Sequence, residues 1–388
     1  MSEQLSMSLK SQDNSAGRLR LAFMGMRGLP ADLPKAGGGE RETEAKTTRL
    51  ASRGHQVTVY CRWHYNRLPA TPYQGIHLIS LPSIPNKNLD TVSHTLLATL
   101  HAWLKNTADI LSYHGMGNGL FVPLAKLLGK KTVVYMDGID WVRPKWGRLA
   151  RIALKIAAGV SLRWADAVYV DNRVSQDQFN ELFHKSPAVI TLAADLWEDP
   201  GSDRLASFGL SPGDYILFVG LLKPDKGVHI LIEAYEKLKT QLPLVIVGDS
   251  PDRGDYVHKL KSTPDTRVKF LGYVYGHDAR QLFSNCQIYV QPSLMEGNSP
   301  ALMSAMACGR CVVVSDIEQN LETLGGAGRS FQSENAESLR LVLEDLIANP
   351  KQAEKLGVEA QNRIREVYNW DKVVTDLEKL YYCLTRDS

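Results

Sequence analysis

Short apolar runs alternate with longer amphipathic stretches along most of this chain. In the first half the runs are Leu19–Met24, Val57–Cys61, Ile76–Leu81, Ile110–Ser112, Thr132–Tyr135, Val168–Val170 and Ala188–Leu192. They are rich in aliphatic and β-branched residues and bounded by turn residues, as buried parallel strands are. Between them lie helical stretches, including a polar one that ends at Arg53 with Gly54 behind it, and Thr91–Lys105. A second series follows: Tyr215–Val219, Leu244–Val247, Val268–Leu271, Gln287–Val290 and Cys311–Val314, with helices between them. Three helices within Ala336–Asn349, Lys351–Val367 and Asp371–Leu384 close the chain. Strand alternating with helix at this spacing predicts an α/β fold of two Rossmann-like domains, each with a parallel, doubly wound sheet. Trp197–Asp214 lacks periodicity, carries Pro, Gly, Ser and Asp, and is expected to connect the domains. The expected division is a disordered tail over 1–18, a first domain over 19–196 and a second over 197–369.

Candidate chemistry gathers where strands end. Tyr289–Asp316 reads as strand, loop, helix, strand, with Ser299 as N-cap, Pro300 at the first helical position and Gly309 past the helix end. The loop Glu296-Gly297-Asn298-Ser299 then lies at a helix N-terminus, where free backbone N–H groups and the helix dipole suit a phosphate. Glu296 adds an acceptor for hydroxyls. Together these describe a nucleotide-sugar pocket, or else an ordinary turn with a chance glutamate. In the loop after Leu217–Gly220, Lys226 would sit across the pocket from Glu296 and neutralise a diphosphate, unless it is a solvated surface lysine. Gly37-Gly38-Gly39-Glu40 offers amides that approach a phosphate closely, or a flexible connection. Asp137-Gly138-Ile139-Asp140-Trp141 follows another strand; Asp137 either orients a hydroxyl or caps the next helix. His114 stands at a further strand end. The G-x-G-x-x-G fingerprint of a dinucleotide-binding dehydrogenase is missing after the first strand, where Gly25-Met26-Arg27-Gly28 stands instead.

At 388 residues the chain exceeds a typical single domain. A formal net charge of +3 is too small to argue for nucleic acid, so any basic surface must be local. No run approaches the ~18 apolar residues of a membrane span. The polar first residues lack a signal-peptide core, and five scattered cysteines fit a reducing, cytoplasmic setting. Cys308 and Cys311 form a C-x-x-C without a second pair, which reads as packing rather than a zinc site. No metal site is expected.

Glu296, followed by Ala305-Met306-Ala307-Cys308-Gly309, resembles the donor-site signature of the retaining family-four glycosyltransferases, in which a second Glu stands where this chain has Ser304. Lys226-Gly227 falls in register with that family's Lys-Gly, while the family's Arg after Gly220 is replaced by Leu221. Met26-Arg27-Gly28-Leu29-Pro30, Gly37-Gly38-Gly39-Glu40 and Asp137-Gly138-Ile139-Asp140-Trp141 resemble a bacterial rhamnosyltransferase-like subset. The resemblance implies a GT-B fold, with the last helix (370–388) packing back on the first domain and a cleft between the two sheets. It implies transfer of a sugar, with retention and without a metal or other cofactor, from a nucleotide diphosphate sugar to a hydroxyl of a glycan or lipid-linked acceptor. Glu296, Lys226 and Asp137 would be catalytic. Gly37, Gly38, Lys223, Gly297, Asn298, Ser299 and Ser304 would bind the donor, and His114, Asp140 and Trp141 would face the acceptor. Leu221 and Ser304 both fall on the nucleotide side, so a catalytically silent partner or regulatory subunit of the same fold is the alternative.

Arg143–Trp164 is a basic amphipathic helix. Lys145, Arg148, Arg151 and Lys155 share one arc, and Trp146, Leu149, Ile152, Ile156 and Val160 the other. The apolar arc is expected on the core. The basic arc is a candidate for an anionic membrane surface, which would make the protein peripheral at the inner face of the membrane.

Overall fold

A computed structural model describes residues 17–31, 38–65, 72–86, 89–142, 146–197, 199–250 and 254–386. The chain forms two compact units, Met1–Leu192 with Asp371–Ser388, and Ala193–Trp370.

The first unit is built on an eight-stranded sheet. Its strands are β1 (Arg20–Met24), β2 (Gln56–Arg62), β3 (Pro72–Tyr73), β4 (Ile76–Leu81), β5 (Ile110–His114), β6 (Lys131–Met136), β7 (Ala167–Val170) and β8 (Ala188–Val189), in the order β3-β4-β2-β1-β5-β6-β7-β8. All pairs are parallel except the short β3–β4 hairpin at the edge. Leu21 pairs with Val57 on one side and Ile110 on the other, so from Leu21 to Met24 β1 is buried on both flanks and both faces and is apolar. Helices Asp90–Leu104, Val122–Leu127, Arg148–Trp164 and Arg173–Phe183 pack on one core, through Ala98, Ala125, Leu154 and Phe179 among others. The last helix, Trp370–Arg386, is tied to the same unit. Arg53 donates to Glu378 at 2.6 Å, His55 Nε2 lies 2.9 Å from the same carboxylate, and Tyr381 is buried with its hydroxyl 3.5 Å from Ser112 Oγ.

The second unit holds six parallel strands: β9 (Ile216–Val219), β10 (Leu244–Val247), β11 (Val268–Gly272), β12 (Ile288–Gln291), β13 (Cys311–Ser315) and β14 (Arg329–Phe331), in the order β11-β10-β9-β12-β13-β14. Of the stretch read from sequence as a connector, residues 199–214 pack within this unit. Gln281, fully buried, accepts from Arg204 N at 2.8 Å and donates to Pro200 O at 2.8 Å, and Lys269 donates to Gly209 O at 2.7 Å. Polar side chains from helix Gly276–Asn285 and strand β11 satisfy part of its backbone, so it needs no periodicity of its own.

In each sheet the winding direction reverses once, between β1 and β5 and between β9 and β12. At such a reversal the connections leave in opposite directions and the loops after the two strands splay apart, which is where α/β sheets take their ligands. His114 closes β5, and the loops carrying Lys226 and Glu296 follow β9 and β12.

Candidate functional site

The second unit's reversal point is locked by its two loops. Leu294 N donates to Asp225 O at 2.8 Å, across from the loop after β12 to the loop after β9. Gly227 adopts φ +67°, and a Cβ there would lie 1.9 Å from Pro292 O. Only glycine permits this close approach. The consequence is that Lys226, one residue earlier, meets Glu296 directly: Nζ lies 2.7 Å from Oε1. The expectation that they face each other across a pocket is therefore corrected; they form an ion pair, because the Gly227–Pro292 contact draws the loops together.

Glu296 is nearly buried, its side chain 8% exposed. Its Oε1 also accepts from Gln291 Nε2 at 2.8 Å and Ser293 Oγ at 2.7 Å. All three donors converge on one oxygen, and no described residue donates to Oε2. A carboxylate held this way has one oxygen fixing its rotamer and the other ready to accept from hydroxyls. Gln291 is the centre of the arrangement: its Oε1 accepts from Tyr289 OH at 2.6 Å and Ser299 Oγ at 3.2 Å. Ser299 caps helix Pro300–Ala307 by accepting from Leu302 N at 3.3 Å, so the cap and the carboxylate are fixed through the same amide. Sequence reading missed Gln291 and Ser293. The available signal was a glutamine ending an otherwise apolar strand, a costly placement unless its amide is used.

Gly297 and Asn298 lie in the loop between Glu296 and the cap, with Asn298 Oδ1 3.4 Å from Thr323 Oγ1. Ser304 is half-buried on the helix, and no hydrogen bond of its hydroxyl to a described residue is present. Lys223 is half-buried before the short 3-10 turn Pro224–Lys226 and pairs with no carboxylate among the described residues. Leu221 is exposed beside it. Cys311 begins β13 in the core and Cys308 accepts from Ser284 at 3.3 Å, so the C-x-x-C is spent on packing. Among the described residues no cluster of three or more His, Cys, Asp or Glu side chains has the arrangement to hold a metal ion.

The first unit's reversal point carries a second cluster. Gly37 and Lys145 lie outside the described residues; Gly38 begins helix Gly38–Ser52. The buried side of this helix is polar: Glu40, Thr43, Lys46 and Thr47 precede Leu50. Glu40 accepts from Arg27 N at 3.2 Å, which ties the helix to the loop after β1. Lys46 has no exposed surface; it pairs with Glu42 and lies 4.5 Å over the Tyr135 ring and 5.4 Å over Tyr169. Tyr135 OH lies 3.2 Å from Asp171 Oδ2 and 3.4 Å from Glu42 Oε2. Burial, then the charges of Glu42 and Asp137, push the Asp171 carboxyl up to about 7.

His114 stands beside this cluster, its ring 5.3 Å from Tyr135 and Nδ1 3.5 Å from Thr43 Oγ1. Burial first and Lys46 second bring its pKa down to about 3, so the ring is neutral. Its Nε2 is buried with no hydrogen-bond partner among the described residues. Asp137 follows β6, half-buried, close enough for its charge to act on Asp171. The other two residues read as acceptor-facing are placed differently. Trp141 is buried with its ring edge-on to Phe179 and Phe183, and Asp140 accepts from the Trp146 indole at 2.9 Å. The 3-10 turn Asp140–Val142 rolls the tryptophan inward. None of Glu42, Lys46 or Asp171 was singled out from the sequence, although polar residues at i, i+3 and i+4 on a helix that must cover a sheet were a usable sign.

The basic helix also departs from expectation. Its buried face is Leu154, Ala157, Ala158 and Ser161, while Leu149, Ile152 and Ile156 are 85%, 56% and 54% exposed. The reason is close approach: a Cβ on Gly119 would lie 1.8 Å from Ser161 Oγ and 3.0 Å from Ala157 O. Small residues and Leu154 seat this helix, and Leu149, Ile152 and Ile156 point away.

Residues 207–363 match the family model of glycosyl transferases group 1, and residues 37–193 match the glycosyl transferase 4-like domain. Among curated relatives, the chain is 30% identical over 130 residues to O-antigen chain mannosyltransferase B of Escherichia coli, which covers 32% of this chain and 34% of that protein. It is 24% identical over 305 residues to alpha-maltose-1-phosphate synthase of Mycolicibacterium smegmatis, covering 71% and 79%. The chain spans 34%, 49% and 44% of the length of three of the curated relatives it matches. Sucrose-phosphate synthase from Thermosynechococcus elongatus superposes with a TM-score of 0.82 at 20% identity, over 96% of this chain and 100% of that one. The fold is of GT-B type, with two Rossmann-like domains and parallel sheets.

Proposed function

We propose that this chain, whose units match the glycosyl transferase 4-like domain and the glycosyl transferases group 1, moves a sugar from a nucleotide diphosphate sugar to a hydroxyl of a glycan or lipid-linked acceptor. The relatives' names point to glycan and polysaccharide biosynthesis. The observation that carries the reading is the single-oxygen anchoring of Glu296 beside Lys226 at the second sheet's reversal point.

In this reading the diphosphate lies at the Gly297–Ser299 amides and the N-terminus of helix Pro300–Ala307, with Lys226 and Lys223 supplying positive charge. Glu296 Oε2 accepts from hydroxyls of the transferred sugar. The bond from the sugar's anomeric carbon to the diphosphate oxygen breaks, and the acceptor oxygen bonds that carbon on the same face. Bond formation on the face that the leaving group vacates gives retention, and the acceptor's proton passes to the departing diphosphate. The two lysines take the counter-charge role that a divalent ion has in other transferases, so turnover is independent of metal. In the same reading Asp137 acts in catalysis by orienting a hydroxyl of the acceptor or of the transferred sugar, and His114 faces the acceptor.

Titration with uridine, guanosine, adenosine and thymidine diphosphate sugars tests this. Wild type should bind and turn over at least one donor, in the presence of a chelator. Lys226→Ala should lose about 10–100-fold in donor affinity, the worth of one charge-assisted hydrogen bond. Wild-type kinetics in that variant would remove Lys226 from the site. Binding without turnover would favour a silent partner or regulatory subunit, the reading that Leu221 and Ser304 motivate.

A further inference from the structure

Helix Arg148–Trp164 presents an unusual outer surface. Leu149, Ile152 and Ile156 recur at i, i+3 and i+7, so they form one stripe, and all three are more than half exposed. Arg148, Arg151, Lys155 and Arg163 flank them, and the helix contains no acidic residue. The 3-10 turn Met116–Phe121 is shared as a packing base with helix Asp90–Leu104, which lies on the same core and also exposes large apolar side chains, among them Leu96 and Trp103. Counting helix Val122–Leu127 as well, the only carboxylate in the three helices is Asp90, already bonded to Arg62 and Ser83.

We infer that this face of the first unit docks on an anionic lipid surface, with the Leu149–Ile152–Ile156 stripe entering the acyl boundary and the flanking cations at the headgroups. Three features single out lipid over a protein partner. Apolar and cationic side chains are interleaved along one helix without any acid, which complements a negatively charged, apolar-cored layer. The side chains at the helix ends include Trp164, half exposed, a residue that favours the water–lipid boundary. The helix is seated by Leu154 with the small residues Ala157, Ala158 and Ser161, so Leu149, Ile152 and Ile156 lie off the core and their outward placement has no folding rationale. No helix among the described residues is long and apolar enough to cross a membrane, so docking is parallel to the surface. The inference does not rest on the transfer reaction.

Flotation of the full chain with phosphatidylglycerol–phosphatidylcholine vesicles, and with phosphatidylcholine alone, tests it. Wild type should float with the anionic vesicles and fall at least about tenfold in partition on the neutral ones, with binding weakened by salt. Each of Arg148→Gln and Arg163→Gln should reduce partition about fivefold. The triple change Leu149→Ser, Ile152→Ser, Ile156→Ser should abolish flotation while near-ultraviolet dichroism and thermal midpoint stay as in wild type, since these side chains are exposed. Wild type left in the soluble fraction would overturn the inference, as would a triple variant that floats like wild type. So would a dimer, seen by sedimentation equilibrium, that the triple change dissolves while flotation is unaffected; a second copy of the chain would then be the occupant.

Discussion

Asp171 gives the sharpest physical test of the first unit's cluster. The carboxyl is buried beside Glu42 and Asp137, and its pKa stands at about 7 against the ordinary value of 3.8. Because the folded value is raised, the native state holds a proton that the unfolded chain has released. Stability is therefore unpenalised below about pH 4, falls as pH rises, and bears the whole penalty above about pH 7. The part developing between about pH 5 and about pH 8 corresponds to about 2.6 kcal/mol. Water relaxes around the anion once it has formed, so Asp171's own share of the pH dependence in wild type is expected to be a loss of about 1–2 kcal/mol. His114 and His94, brought down to about 3 and about 4 by burial, stay neutral in the native state but take up a proton in the unfolded chain below about pH 6.5, so they add a slope of opposite sign that is common to wild type and variant; the difference between the two proteins isolates Asp171.

The perturbation is Asp171→Asn, which keeps the shape. The new carbonyl oxygen can keep accepting from Asn172 Nδ2, which lies 2.7 Å from Asp171 Oδ1, while the new amide donates to Tyr135 OH and that hydroxyl turns to donate to Glu42. The variant should lose the 1–2 kcal/mol of pH dependence and be more stable than wild type at about pH 8, by about the same amount. Urea unfolding read by pulse hydrogen exchange on peptides covering 131–136 and 167–170 scores the first unit separately, which matters in a two-unit chain. Equal slopes in the two proteins, or an asparagine variant less stable than wild type at the higher pH, would refute the assignment of the proton to Asp171.

Gln291→Leu should cost about 1–3 kcal/mol in the urea midpoint of the second unit, since Tyr289 OH loses its acceptor inside the core, and should lower turnover as well, because Glu296 loses one of the donors that fix its rotamer. Gly227→Ala should destabilise by about 2–4 kcal/mol, through the clash with Pro292 O and the positive φ, and should weaken nucleotide-sugar binding by moving Lys226; calorimetry and thermal unfolding on the same sample check both. Combining Ser304→Glu with Leu221→Arg should leave donor affinity unchanged or lower it if the pocket has adapted, and calorimetry that shows a clear rise would mark a decayed transferase instead.

The strands and the ends of helices were legible because they are local. An apolar run buried on both faces, a Ser-Pro helix start or a glycine stop each declares itself within a few residues. Glu296 and Lys226 were legible for a related reason: both stand in strand-end loops, where chemistry collects, and Glu296 is the one charged side chain between β12 and the helix that follows. Their 2.7 Å contact was not legible, because it depends on Gly227 meeting Pro292, two residues far apart in the chain. Helix Arg148–Trp164 shows a subtler failure. Amphipathic patterning assigns the core face to the largest apolar residues, on the premise that burial area decides orientation. Here close approach decided it: Ala157 and Ser161 let the helix settle on Gly119, and the larger side chains were turned outward. The polar face of helix Gly38–Ser52 inverts the same premise, since Thr43 and Lys46 lie inside while the unit still folds around them. A helix that buries lysine against tyrosine rings and carboxylates gives up apolar burial, and that loss falls at the reversal point of the sheet, next to His114 and Asp171, where a ligand would make use of it.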